Sequence, residues 1–123
     1  MADAPAVHRP NAIDYVELGA RNPADQAKAK AFYAAAFGWA YTDYGPDYSD
    51  TQSSGVGSGI NADPDHRPTS PLPVVYVEDL EAAHTRVIDA GGIVTRAIFT
   101  FPGGRRFHFA DPAGNELGVW SDK

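Results

Sequence analysis

Ten residues near the middle of the chain, ADPDHRPTSP (62–71), hold three prolines among polar side chains. Proline has no N–H to give a ladder, and it pushes the residue before it out of the helical region. Neither a helix nor a central strand runs through such a segment. It is the one clear linker-like stretch in the 123 residues. The order of elements before it is repeated after it.

Before the linker, AIDYVEL (12–18) alternates and is rich in β-formers, which predicts a strand. Asn22 is an N-cap candidate with Pro23 at the first helical position, and Gly38 is a C-cap, so a helix is expected over 23–37. Ala27, Ala31 or Ala35, Phe32 and Phe37 supply its expected apolar stripe. WAYTDY (39–44), YSDTQSS (48–54) and GVGSGIN (55–61) read as three strands, the last weakened by its glycines. After the linker, LPVVYVED (72–79) is an apolar strand, Asp79 caps a helix over 80–90, and Gly91-Gly92 closes it. GIVTRAIFTF (92–101) holds one or two strands, followed by RRFHFAD (105–111), the turn PAGN and ELGVW (116–120). Each half is therefore strand–helix–strand–strand–strand. The expectation is an α+β fold of two βαβββ modules, 12–61 and 72–121, within one domain over 12–123, preceded by a flexible tail over 1–11.

Cysteine is absent, which excludes disulfides, zinc–thiolate sites and a thiol nucleophile, and fits a reducing compartment. The net charge of −6 argues against a nucleic-acid or anionic-membrane partner. No apolar run reaches the roughly 18 residues of a membrane span, and MADAPAVHRP lacks the order of a signal peptide. A cytoplasmic location is expected.

With AFYAAAFGW (31–39), VEDLEAAHTRVIDAGG (77–92) and FPGGRRFHFADPAGNELGVW (101–120), the doubled order resembles the vicinal oxygen chelate superfamily over residues 12–121. That group includes glyoxalase I, extradiol dioxygenases, fosfomycin-resistance enzymes and bleomycin-binding proteins. The resemblance implies a cup-shaped mixed sheet, a homodimer, and a metal held by the opening and closing strands of the modules. The implied ligand places fall on Tyr15, Leu72 and Gly118. Leucine and glycine offer no side-chain donor, and tyrosine replaces histidine poorly. No metal cofactor is therefore expected.

Strand alternation then selects what faces the implied cup. With Tyr15 inward, Glu17 is inward. In the last hairpin, Phe107 and Phe109 suit the core, so Arg106 and His108 face the cup, as do Glu116 and Trp120. Tyr76 joins them from the strand over 72–79. His108, Glu116 and Glu17 are the catalytic candidates, because an imidazole titrates near neutrality and a buried carboxylate can act as a base. Tyr15, Tyr76, Arg106 and Trp120 are the substrate-binding candidates. Each has a plainer reading. Arg106 can simply pair with Glu17 or Glu116, His108 can be a hydrogen-bonded strand residue, and Glu116 can satisfy donors of the Asn115 turn. Asp111 and Asn115 read as turn-formers, and His66 and His84 as solvated. Glu17, His108 and Glu116 also form a set that suits Mn, Fe or Zn.

The expected function is metal-independent proton transfer on a small metabolite, of isomerase, epimerase or lyase type. A non-catalytic ligand- or antibiotic-binding protein is the alternative, and a metal-dependent lyase or dioxygenase a second one.

Overall fold

The computed structural model describes residues 8–123. The first module runs β1 (Ala12–Gly19), α1 (Pro23–Phe37), β2 (Thr42–Asp43), β3 (Tyr48–Thr51) and β4 (Gly57–Asn61). The second runs β5 (Leu72–Tyr76), α2 (Leu80–Asp89), β6 (Ile93–Phe101), β7 (Gly104–Ala110) and β8 (Glu116–Ser121). By contacts the chain divides into two compact units, one over Tyr15–Leu72 and one over Pro73–Lys123 that also includes residues 8–14. The fold is α+β.

In the first module the strands lie in the order β2-β3-β4-β1, with β1 and β4 parallel and the other pairs antiparallel. Helix α1 starts where Asn22 accepts the Asp25 N–H at 2.8 Å. It ends where Gly38, at φ 72°, returns its N–H to the Ala34 carbonyl. The expected apolar stripe is not the buried one, for Phe32 and Phe37 are 62% and 63% exposed. Gln26 is buried instead and donates to the Ile60 carbonyl at 3.2 Å. A helix made largely of alanine carries too little contrast between its faces for hydropathy to choose one. The strand expected over 39–44 shrinks to Thr42–Asp43 at the sheet edge.

Strand β4 is buried along its whole length. A Cβ on Gly59 would stand 2.1 Å from the Tyr15 hydroxyl and 2.3 Å from that of Tyr48, so the glycine makes room for two phenols that hydrogen-bond to each other. Gly59→Ala must displace this pair. The expected loss is about 2 kcal/mol of unfolding free energy, typical of overpacking, read from a urea titration.

In the second module the order is β5-β8-β7-β6, again with the first and last strands parallel. Asp79 caps α2 through the Ala82 N–H at 3.0 Å. Leu80 and Ala83 of α2 bury against Phe107 and Val119, with Val77 completing the cluster. The edge of the His84 ring meets Phe107 at 4.9 Å, so this imidazole is half-buried packing and not a solvated side chain.

Strand β6 is a single strand with two register shifts, one between Val94 and Arg96 and one between Arg96 and Phe99. Each places one extra residue on β6 against β7. Residues directly opposite each other share a face. Arg96 therefore lies opposite His108 and Phe99 opposite Arg106, on the face away from Phe107. Uninterrupted alternation would have put Arg96 on the same face as Val94.

Candidate functional site

Strand β7 sends Phe107 into the core and Arg106 and His108 to the other face. Register with β8 sets Arg106 opposite Trp120, His108 opposite Gly118, and Ala110 opposite Glu116. Tyr76 follows, opposite Trp120 on the far side of β8. The second module thus brings together five of the expected residues: Tyr76, Arg106, His108, Glu116 and Trp120. Tyr15 and Glu17 lie on β1 in the first module. Glu17 is 2% exposed and accepts from Asn61 Nδ2 at 3.5 Å.

His108 is 7% exposed. Its Nε2 is buried with no hydrogen-bond partner among the described residues. Its Nδ1 stands 3.8 Å from Glu116 Oε2, an ion-pair distance and too long for a hydrogen bond. Burial lowers its pKa to about 4, with the Arg106 and Arg96 guanidiniums adding to the effect. The imidazole is neutral at pH 7, and Nε2 is the nitrogen that lacks a partner. Arg96 lies over the Phe99 ring at 4.2 Å, and Arg106 over Phe99 and Phe101 at 5.3 and 5.9 Å. Two cations thus flank the ring on a partly apolar bed. Removing one of them in Arg96→Met moves the His108 pKa up from about 4, measured by NMR titration of the imidazole.

The same shift gives a pH dependence of stability. An unfolded histidine titrates near 6.5, and folded His108 near 4. Between these values the unfolded chain binds more protons, so stability falls as pH drops from about 6.5 to about 4. His108 contributes up to about 3 kcal/mol to this loss, visible in urea midpoints across that window and absent in His108→Gln.

Glu116 is half-exposed at the rim and accepts from Thr95 Oγ1 at 2.7 Å. Its plainer role falls to Asp111, which accepts the N–H groups of Ala113 and Asn115 at 2.8 and 2.9 Å. Those bonds, Asn115 foremost, lower the Asp111 pKa. Trp120 donates its indole N–H to Asp14 at 2.9 Å, and the Tyr76 hydroxyl donates to Asp122 at 2.8 Å. His8, read as part of a tail, stacks on Tyr76 and approaches Asp14; residues 1–7 of that tail lie outside the described residues. Arg96, Phe99 and Thr95 were not among the expected residues, and the first register shift of β6 sets Arg96 on the face opposite to the one that alternation from Val94 gives.

An open depression in the first compact unit, lined by Leu18, Tyr33, Ile60 and Pro71 among others, has no carboxylate, imidazole or cationic group in its wall.

The chain matches the model of the Glyoxalase/Bleomycin resistance protein/Dioxygenase superfamily over residues 12–119. It belongs to that superfamily. CFP32 of Mycobacterium tuberculosis and Mycobacterium bovis, which carries a provisional glyoxylase designation, is 32% identical over 107 residues. The match takes in 78% of this chain and 41% of CFP32, so the chain spans well under half the length of the curated relatives it matches. Among solved structures, the Mn(II)-bound glyoxalase from Novosphingobium aromaticivorans is similar with a TM-score of 0.65 at 22% identity, covering 94% of this chain and 40% of that one. Methylmalonyl-CoA epimerase from Mycobacterium tuberculosis gives 0.64 at 13%, covering 97% and 93%. At these identities the structures share the fold.

The metal implied by the superfamily can be tested against the donors present. Leu72 is buried hydrocarbon. Gly118 has no side chain, and a Cβ there would already sit 3.4 Å from His108 Cδ2 and Val74 Cγ2. Burial, followed by the neighbouring Tyr48, raises the Tyr15 pKa, so its phenol resists ionising to a ligand. These three places do not fit a metal. Among the described residues no group of three His, Cys, Asp or Glu side chains is placed to hold one.

Proposed function

We propose that the His108 face of the second module is a small-molecule site that moves a proton without a metal, as an isomerase, epimerase or lyase does. The observation that carries this reading is the buried neutral imidazole with an unsatisfied Nε2 in the field of two guanidiniums. A buried nitrogen without a partner costs about 1–3 kcal/mol, a cost that a ligand group can remove.

The chemistry follows from the charges. A substrate carboxylate taken up by Arg96 and Arg106 cancels much of the positive field on His108 and raises its pKa toward neutrality. Nε2 then accepts a proton from carbon α to a carbonyl. The electron pair moves onto the carbonyl oxygen, where a guanidinium stabilises the enolate. The imidazolium returns the proton to the face of that carbon it came from, or to the neighbouring oxygen; inversion at the carbon requires the planar enolate to turn over or a second acid on the other face. Glu116, 3.8 Å from Nδ1 and anchored by Thr95, favours the imidazolium stage. Glu17 is the second acid–base candidate, on the strength of its burial.

The metal-free reading is supported by the poor donor set at Tyr15, Leu72 and Gly118. Elemental analysis of protein purified without chelators is expected to find substoichiometric metal; a stoichiometric divalent ion overturns it. The mechanism is tested by deuterium exchange in D2O at carbon α of a panel of small 2-oxo acids, 2-hydroxy acids and acyl thioesters. Wild-type protein exchanges at least one of them and His108→Gln does not. Full exchange by His108→Gln overturns the assignment.

The alternative is a protein that binds a ligand and releases it unchanged. The aromatic pair Tyr76 and Trp120 and the net charge of −6 favour it for a cationic aromatic ligand. No exchange with any panel member, together with a tightly held ligand recovered intact, selects it. A homodimer is proposed as well, as the resemblance to the superfamily implies. A cytoplasmic location fits a chain without cysteine.

A further inference from the structure

The His8 ring is held on three sides. Its face stacks on Tyr76, centroids 4.8 Å apart and planes inclined by 25°. It meets Trp120 edge-on at 4.8 Å and 89°. Its Nδ1 lies 2.7 Å from Asp14 Oδ2, while the other Asp14 oxygen accepts the Trp120 indole N–H. Tyr76 is fixed in turn by its hydrogen bond to Asp122. The segment that delivers His8 is a tight turn: Ala12 donates to the Arg9 carbonyl, Asn11 to that of Tyr76, and Asn11 sits at φ 66°. Asparagine tolerates that left-handed conformation better than most residues. An aromatic face, an aromatic edge and a carboxylate positioned for a ring N–H are the parts of a recognition site for a planar heterocycle.

We propose that Tyr76, Trp120 and Asp14 form a subsite for a planar heteroaromatic ring bearing a ring N–H, an imidazole-like group, and that His8 occupies it as a tethered surrogate which the ligand displaces. Trp120 is the register partner of Arg106, so a ring seated here sends its polar substituents toward Arg106 and His108. The inference rests on the reading above only for where the rest of the ligand lies. A tethered group competes at a local concentration in the millimolar range, so removing it uncovers weak binding of the free ring.

Imidazole itself is the probe. The chain has two tryptophans, and Trp39→Phe leaves the Trp120 indole as the only one in a nitrogen–proton NMR spectrum. In that background, His8→Ala shifts the Trp120 signal saturably with millimolar imidazole at constant pH, and the parent needs at least about tenfold more. Adding Asp14→Asn to His8→Ala weakens the response. 1,3-Dimethylimidazolium, planar and cationic but without an N–H, leaves the signal in place. His8→Gln, which keeps the side-chain length and loses the ring, responds like His8→Ala and guards against an alanine-specific folding defect. The proposal is overturned if both His8 variants respond no better than the parent, or if dimethylimidazolium does as well as imidazole. Failure here with deuterium exchange intact removes the subsite alone. Failure of exchange with this titration intact removes the His108 reading alone.

Discussion

His108→Gln lowers the proton-exchange rate of the protein by roughly 10²–10⁴-fold, the usual contribution of a positioned acid–base group. Glutamine keeps much of the volume and a hydrogen-bonding end but has no nitrogen that titrates between pH 4 and 9. The strand is not disturbed, since the side chain faces away from the Phe107 core. Arg96 and Arg106 remain, so the loss falls on kcat and leaves KM for an anionic substrate nearly unchanged. The pH profile separates this role from a structural one. In wild-type protein the free-enzyme limb follows a group depressed to about 4, and the bound-state limb one shifted upward by the substrate's charge. A variant that keeps the wild-type rate and profile refutes the assignment. Arg96→Met is the instructive partner: it raises the pKa of the free base yet removes an anion holder, so substrate affinity drops while the free enzyme titrates nearer neutrality.

Phe107→Ala is the most damaging single truncation expected for stability. The ring has 0% exposure and packs among Leu80, Ala83, Val77 and Val119. Removing it forfeits the transfer free energy of the ring and leaves a cavity, a loss of about 3–5 kcal/mol. Domains of this size hold about 5–15 kcal/mol in all, so the loss is a large share of the total. Phe32→Ala is the matched control, because that ring is 62% exposed and the change stays within about 0.5 kcal/mol. Urea midpoints for the two variants, with equal slopes, are the measurement. Similar midpoints contradict this placement of the core.

How much was legible depended on whether a rule of period or of capping stayed unbroken. Asn22, Pro23 and Gly38 mark both ends of α1, because capping is local chemistry. Strand β7 is regular, so alternation alone separated Phe107 and Phe109 from Arg106 and His108. The buried side of α1 was not legible, since alanine on every face erases the contrast that a stripe needs. Arg96 escaped for a different reason: a bulge is a property of pairing between strands, and single-strand counting does not register it. His8 escaped because its partners, Tyr76, Trp120 and Asp14, come from three strands far apart in the chain. Glu116 was read as a partner for His108; it stands at 3.8 Å, with Thr95 taking the closer place.

The two extra residues of β6 make the set of side chains facing His108 a matter of counting rather than of identity. Deleting one residue between Arg96 and Phe99 rotates the rest of the strand by one face and withdraws a guanidinium or an aromatic ring from beside His108, with no side chain exchanged for another. A strand built this way exchanges the side chains beside His108 through single-codon insertions and deletions. Two such sites in one strand can even offset each other, so that the polar group beside the imidazole varies while the hairpin beyond it keeps its frame.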